Sequence, residues 1–142
     1  MSKPILCMDF DGVIHSCTSG WHGANFIPDP PVPGALQFLQ AATEHFDVQI
    51  FSSRSHQVGG REAMHAWLGY WWKKELGTPL KAIERAGLVE AFLAGDRAIS
   101  FPKKKPAAFL SIDDRGITFT GTFPDPASLL RFKPWNKKGE HR

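Results

Sequence analysis

The sequence predicts an α/β domain built on an open parallel sheet with helices on both faces. Short apolar runs, typical of strands that are buried on both sides, alternate along the 142 residues with amphipathic stretches of helical spacing. Polar residues cluster where each apolar run ends. Because ligands of such sheets bind beyond the carboxyl ends of the strands, these clusters predict a single functional site.

Composition is that of a soluble globular domain, with 42% hydrophobic and 22% charged residues. Cys7 and Cys17 do not form a disulfide framework, which favours a reducing cytoplasm. No apolar run approaches about 18 residues and no secretory leader is evident, so we expect no membrane span. The formal charge is +3, and basic side chains cluster at residues 103–105 and 131–142. Such clusters indicate a solvated face or, alternatively, a phosphate-bearing partner.

The first predicted element is a buried strand over residues 5–8, followed by Asp9, Phe10, Asp11 and Gly12. Alternation along an extended chain points both carboxylates to one side and the Phe10 ring to the other. Carboxylates that close repel one another unless a cation or a shared proton intervenes. The glycine lets the backbone turn sharply. Taken alone, the pattern is equally consistent with a strand end that carries solvated acids.

A long loop, a helix and a second strand come next. The loop, residues 15–33, is rich in Gly, Pro, Ser and Asn, and loops of this length are commonly functional lids or binding loops. Apolar spacing predicts a helix over residues 35–45. A second buried strand over residues 48–51 ends in the polar residues 52–54. Polar groups therefore stand again where a strand ends.

Two amphipathic stretches precede the third strand. The first predicts a helix from Gly60 to the helix-breaking residues 77–79, with an aromatic stripe that is typical of a core position. Tyr70 and Trp72 are the two rings that we expect to be exposed. The second stretch, residues 80–93, also has helical apolar spacing, although a glycine interrupts it.

The last third of the chain completes the predicted architecture. Its elements are a strand over 98–101, a strand over 107–112, a short strand over 117–122 and a helix over 126–132. Three lysines, residues 103–105, follow one strand, and Asp113 and Asp114 follow the next. We expect one domain over residues 1–132 and a frayed basic tail over residues 133–142.

Four acids at the strand ends suggest a chemistry. Asp9, Asp11, Asp113 and Asp114 together demand a cation, and a set of oxygen ligands selects magnesium. A lysine, a hydroxyl and backbone amides around that ion would bind a phosphoryl group. One carboxylate can attack phosphorus to form an aspartyl phosphate, and a second can protonate the leaving oxygen and then activate water. The set predicts phosphate ester hydrolysis.

Four motifs, DFDGV, IFSS, KKKP and SIDDR, resemble in order those of the haloacid dehalogenase (HAD) superfamily of phosphatases. The resemblance implies a Rossmann-like HAD core. It implies that Asp9 is the nucleophile and a metal ligand, and that Asp11 is the general acid and base and lends its backbone carbonyl to the metal. Asp114 would ligate the metal, with Asp113 either a further ligand or a support for it; which of the two is the direct ligand is left open.

The resemblance also assigns the phosphate contacts. Ser52 matches the phosphate-binding hydroxyl, with Ser53 as the alternative. Lys105, directly before a proline, best matches the lysine that holds nucleophile and phosphate, while Lys103 and Lys104 remain alternatives.

Gly12 and Arg54 complete the predicted phosphate-binding set, with Arg54 either a substrate clamp or a structural ion-pair partner. Arg115 is expected to be an ion-pair partner. His15 and His56 lie just past motifs, but a loop histidine is more often incidental than substrate-facing.

The segments between motifs are too short for a cap domain, so the chain is similar to capless or minimally capped members, whose sites are open. We expect a magnesium-dependent phosphomonoesterase acting on a phosphorylated small molecule, a nucleotide or a nucleic-acid end. The alternative is a nucleic-acid-binding module that retains the HAD fold without turnover and uses the basic tail, Trp72 and the loop around Trp21.

Overall fold

The computed structural model describes residues 2–85 and 88–136 of the chain. Within those residues the elements are β1 (Ile5–Met8), α1 (Ala35–Ala42), β2 (Asp47–Ile50), α2 (Gly60–Leu76), β3 (Lys81–Arg85), β4 (Leu88–Ala94), β5 (Arg97–Phe101), β6 (Leu110–Ile112) and α3 (Pro126–Leu129). None of these helices is both long enough and apolar enough to cross a membrane.

The six strands form one mixed sheet in the order β3-β4-β5-β2-β1-β6. Strands β5, β2, β1 and β6 are mutually parallel, as predicted, whereas β4 runs antiparallel to both β3 and β5. The α/β class is therefore confirmed, and the prediction of an all-parallel sheet is wrong. The parallel strands are the part of the sheet that carries the predicted site.

The antiparallel part arises from residues 80–93, which were predicted to be helical. Residues 81–85 and 88–94 form the antiparallel strands β3 and β4 instead, and β4 pairs with a neighbour on each side. Residues 86 and 87 of the stretch lie outside the described residues. Ala91 of β4 is fully buried in the core. Val, Phe and Leu in this stretch suit a pleated, half-buried surface, and pairing with β5 supplies the stabilisation that helical spacing alone does not.

The core lies on one face of the sheet, where alternate strand residues point the same way. Those residues are Leu6, Met8, Val48, Ile50, Ile99 and Phe101. Leu36 and Leu39 of α1 and Met64 and Leu68 of α2 are fully buried in the same cluster. Both long helices thus pack on this face, and α3 has no buried residue. The prediction of helices on both faces is not met by the described helices.

Three local predictions also differ from the structure. Of the two rings that were predicted to be exposed, Tyr70 is exposed, at 61% of its surface, whereas Trp72 is buried, with 1% of its surface exposed. Residues 117–122 form no strand, and the last helix is confined to Pro126–Leu129. A strand forms only where it pairs with a neighbour through hydrogen bonds. The sheet ends at β6, which pairs with β1, and residues 117–122 do not pair with either edge of the sheet.

Candidate functional site

Three carboxylates converge beyond the ends of β1 and β6. The two strands are parallel neighbours in the register Met8 to Ile112, so the acids that follow them are adjacent. The Asp9 amide donates a hydrogen bond of 3.0 Å to the Ile112 carbonyl and fixes that adjacency. Carboxylate oxygens of Asp9, Asp113 and Asp114 lie within 4.8 Å of one another. These three residues are called the acid cluster below.

The acid cluster favours the uncharged form of Asp9. The pKa of Asp9 is raised from 3.8 to about 7, and burial of the side chain is the largest cause. The charges of Asp113 and Asp114 raise this pKa further. The Phe10 amide donates to Asp9 Oδ1 at 2.8 Å and lowers it. A cation among the three carboxylates would remove their repulsion and restore the ionised form of Asp9. An oxygen-only donor set of this kind fits a hard divalent ion such as Mg²⁺.

Asp11 does not point into the acid cluster, so the prediction that both carboxylates of the first motif converge is wrong in this structure. Its Oδ1 accepts hydrogen bonds from His15 Nδ1 at 2.8 Å and Arg54 Nη2 at 3.0 Å, and its Oδ2 accepts one from Arg54 Nε at 2.9 Å. Burial raises the pKa of Asp11, but these hydrogen bonds and charges outweigh burial and lower it. Asp11 is therefore held as a carboxylate by two buried side chains. Its predicted backbone contact with the metal stays a prediction.

Arg54 is the centre of this arrangement and is fully buried. Its Nη1 donates to the carbonyls of Gly23, Ala24 and Phe26 at 2.8, 2.9 and 3.1 Å. The guanidinium also lies over the Trp21 ring, 4.6 Å from its centroid. A guanidinium with no solvent exposure and with these partners is not placed to bind phosphate. The assignment of Arg54 to phosphate binding is corrected: it joins the loop of residues 15–33 to Asp11.

His15 is the second partner of Asp11, and it too is fully buried. The Asp29 amide donates to His15 Nε2 at 3.1 Å, so the ring proton resides on Nδ1 and is donated to Asp11. Asp29 in turn accepts hydrogen bonds from the amide and hydroxyl of Ser19, at 2.8 and 2.5 Å. Sequence reasoning treated His15 as incidental. The spacing of four residues from Asp11 was the signal that could have identified it.

Gly12 permits the close approach of Asp114. Its φ of 85° is in the left-handed region, and a Cβ at this position would overlap Asp114 Oδ2. Its amide donates to the His15 carbonyl at 2.8 Å, and its own carbonyl accepts a bond of 2.7 Å from Trp135 Nε1. Because its amide is already paired, the structure gives Gly12 a steric role in place of the predicted phosphate contact.

Two cavities flank the acid cluster. The smaller, of about 160 Å³, contains Asp9, Asp113 and Lys105 in its lining. The larger, of about 310 Å³, has Asp11 and Asp114 in its lining. Ser53 lines both, so the cavities meet at the end of β2.

The basic and hydroxyl groups predicted to bind phosphate are now distinguished by position. Lys105 lines the smaller cavity, whereas Lys103 lines a separate one beside His56. Ser52 also reaches the smaller cavity, but its hydroxyl is buried, donates to Met64 Sδ at 3.7 Å and accepts from the Arg54 amide at 3.0 Å. Ser53 is exposed and borders both cavities. The geometry therefore favours Lys105 and Ser53 among the alternatives.

The start of the predicted tail is docked at the site. Besides the bond from Trp135 to Gly12, Asn136 Nδ2 donates to the Ser16 carbonyl at 3.2 Å, and Pro134 is buried. The prediction of a frayed end is therefore wrong at residues 134–136. Lys137, Lys138 and Arg142, which carry much of the predicted basic tail, lie outside the described residues. No feature of the sequence signalled this contact, which joins residues 123 positions apart.

No family model, curated protein or solved structure matches this chain. The comparisons therefore assign neither a family nor an activity.

Proposed function

We propose that this chain is a magnesium-dependent phosphomonoester hydrolase that acts through an aspartyl phosphate at Asp9. The observation that carries the proposal is the convergence of Asp9, Asp113 and Asp114 within 4.8 Å, beside a cavity lined by Lys105 and Ser53. The four motifs that resemble those of the HAD superfamily support the same chemistry. The parallel arrangement of β5, β2, β1 and β6 is consistent with a Rossmann-like HAD core.

The acid cluster is the proposed magnesium site. Asp9 and Asp114 would hold the ion, with Asp113 as a third oxygen donor or a support. When bound, Mg²⁺ neutralises the carboxylates and draws charge from the phosphoryl oxygens. Gly12 serves this site indirectly, because any larger residue would push Asp114 away from it.

The chemical steps belong to Asp9 and Asp11. Asp9 attacks phosphorus, the bond from phosphorus to the ester oxygen breaks, and the leaving oxygen takes a proton from Asp11. Water then attacks the aspartyl phosphate and gives its proton to Asp11, which releases inorganic phosphate and restores the Asp9 carboxylate. Lys105 and Ser53 donate to the oxygens that gain charge in both transition states.

The contacts of Asp11 set a condition on this cycle. Arg54 and His15 stabilise its ionised form, whereas a general acid begins the reaction protonated. A protonated Asp11 cannot accept all of these hydrogen bonds. The acid step therefore requires that Asp11 take up a proton and give up at least one of these hydrogen bonds.

Hydrolysis of a chromogenic phosphate ester in the presence of Mg²⁺ tests the proposal. Asp9→Asn keeps the shape of the side chain but removes the nucleophile, and we expect a rate loss on the order of 10³-fold or more. Asp96→Asn is the matched control, since Asp96 is an exposed acid in the turn between β4 and β5, outside the site. Equal rates for the wild type and Asp9→Asn would refute the proposal.

The binding-only alternative is less well supported. It relied on Trp72 as an exposed ring, and that ring is buried in the core. Of the aromatic contacts named for it, Trp21 remains, at 50% exposure. The further cations of the predicted tail lie outside the described residues.

A further inference from the structure

The larger cavity contains the candidate general acid. Asp11 and Asp114 line this volume of about 310 Å³, while Asp9 and Lys105 line the smaller one of about 160 Å³. A general acid has to lie within hydrogen-bond reach of the oxygen that it protonates. With phosphorus over Asp9, the leaving group therefore extends into the larger cavity.

Trp21 forms an aromatic wall of that cavity. The Arg54 guanidinium lies over the Trp21 ring, with its Cζ 4.6 Å from the ring centroid, and half of the surface of the Trp21 side chain is exposed. Arg54 is fully buried and bonded to the carbonyls of Gly23 and Ala24 in the same loop, so the ring is supported from within. A supported, half-exposed indole is a stacking surface for another planar ring, and a nucleobase is such a ring.

The other walls are polar. Arg115 is exposed, and its amide is fixed by a hydrogen bond of 2.8 Å to Asp113 Oδ1. Asn136 is held through Nδ2 on the Ser16 carbonyl, and within residues 2–85 and 88–136 its buried Oδ1 has no hydrogen-bond partner. Leaving such an acceptor unpaired costs about 1–3 kcal/mol. A ligand that offers an N–H or O–H donor to Asn136 and an acceptor to the Arg115 guanidinium would satisfy these two groups, and a nucleoside carries both kinds of group.

We propose that this cavity binds a nucleoside as the leaving group, with its base stacked on Trp21, so that the substrate is a nucleoside monophosphate. The part of this inference that concerns cleavage rests on the proposed function; the part that concerns binding does not. Small-molecule sites begin at about 300 Å³, so the volume of about 310 Å³ suits one nucleoside. The nucleotide that occupies the cavity can be a free nucleotide or the phosphorylated end of a single strand. Both present the same base, sugar and phosphate to the site.

Equilibrium binding to Asp9→Asn in the presence of Mg²⁺ tests the inference, because this variant holds substrate without turning it over. The probes are adenosine monophosphate, ribose phosphate, which lacks the base, and an end-phosphorylated trinucleotide. Adding Trp21→Ala should weaken adenosine monophosphate binding about 5- to 150-fold, the range for loss of one stacked base, and leave ribose phosphate binding within about 2-fold. Adding Trp21→Phe instead should retain most of the affinity for the nucleotide.

The control variant is Tyr70→Ala, which removes an exposed ring on α2 outside the cavity and should change no affinity. The inference is overturned if the nucleotide and ribose phosphate bind equally well, or if Trp21→Ala weakens both to the same extent. Tighter binding of the trinucleotide than of the mononucleotide supports a strand end as the source, and equal or weaker binding supports the free nucleotide.

The same experiments separate this inference from the proposed function. Wild-type hydrolysis of a chromogenic ester combined with nucleotide binding that does not depend on Trp21 would overturn only the inference. Binding that depends on Trp21, without hydrolysis of any ester by the wild type, would support the inference and overturn only the proposed function.

Discussion

Replacing Arg54 with alanine should lower the free energy of unfolding by about 3 kcal/mol. Removing one partner of a buried ion pair costs about 3–5 kcal/mol, because the other charge is left without compensation. Here the arginine side chain has no exposure and Asp11 has 20%, so water can reach part of the abandoned carboxylate and the lower end of the range applies. The freed carbonyls of Gly23, Ala24 and Phe26 belong to a surface loop and add less. A loss of this size is large against a typical total of about 5–15 kcal/mol.

Urea unfolding followed by tryptophan fluorescence measures this loss. Arg54→Lys keeps the charge but not the forked hydrogen bonds, so its stability should lie between those of Arg54→Ala and the wild type. The double variant Arg54→Ala with Asp11→Asn removes both charges. It should be more stable than the sum of the two single losses predicts, by about 0.5–3 kcal/mol.

Arg97→Ala is the matched control. Arg97 is also an arginine that joins two segments, but its side chain is 28% exposed and its ion pair with Glu44 spans 3.9 Å. We expect it to cost about 1 kcal/mol or less. The reasoning is refuted if Arg54→Ala costs no more than Arg97→Ala, or if the effects of Arg54→Ala and Asp11→Asn simply add.

Three further changes probe the acid cluster and its surroundings. Gly12→Ala should destabilise the protein and weaken Mg²⁺ binding, because the added Cβ overlaps Asp114 at a φ of 85°; an unchanged shift in Tm on adding Mg²⁺ would contradict this steric role. In metal-free protein, the folded state keeps a proton on Asp9 that the unfolded chain releases, so the contribution of Asp9 to stability is full below about pH 4 and is lost as the pH rises to about 7. Urea unfolding across that range should show the decline, and Asp9→Asn should reduce it; a decline of the same size in Asp9→Asn would refute the assignment. Lys105→Ala should lower kcat/KM for a phosphate ester by about 10²-fold, whereas Lys103→Ala should leave it within about 2-fold, and equal losses would contradict the placement of Lys105.

The parallel strands and the acids that follow them could be predicted from the sequence. Four of the predicted apolar runs coincide with strands β1, β2, β5 and β6. A strand that is buried on both faces consists of a continuous run of apolar residues, which is visible in the local sequence. The proximity of Asp9 and Asp113 could be predicted from the same apolar runs, because residues that follow parallel strands meet at one edge of the sheet.

The antiparallel pairing of β3 with β4 could not be predicted in the same way. The apolar residues among residues 80–93 recur at spacings that fit one face of a helix. The pairing of β4 with β5 favours a strand instead, and this long-range contact cannot be recognised from the spacing of nearby residues. Trp72 shows the converse error. It lies at the margin of the predicted apolar stripe of α2, but the sheet covers enough of the helix to bury it.

The surroundings of Asp11 were the least predictable part of the site. Arg54 lies 43 residues from Asp11, and Trp135 lies 123 residues from the carbonyl of Gly12 that it binds. Contacts between residues so far apart depend on the final topology. The sequence pattern identified the acid at position 11 without showing that two buried side chains hold it away from Asp9.

Formation of a phosphoryl group on Asp9 is the step on which the proposed function depends. The protein is mixed with Mg²⁺ and a chromogenic phosphate ester, quenched in acid during turnover, digested and examined by mass spectrometry. We predict a phosphoryl group on the peptide that contains Asp9. It should accumulate further in Asp11→Asn, because a good leaving group departs without an acid while water still lacks its base. Turnover by the wild type and by Asp11→Asn without any phosphoryl group on that peptide would contradict the mechanism.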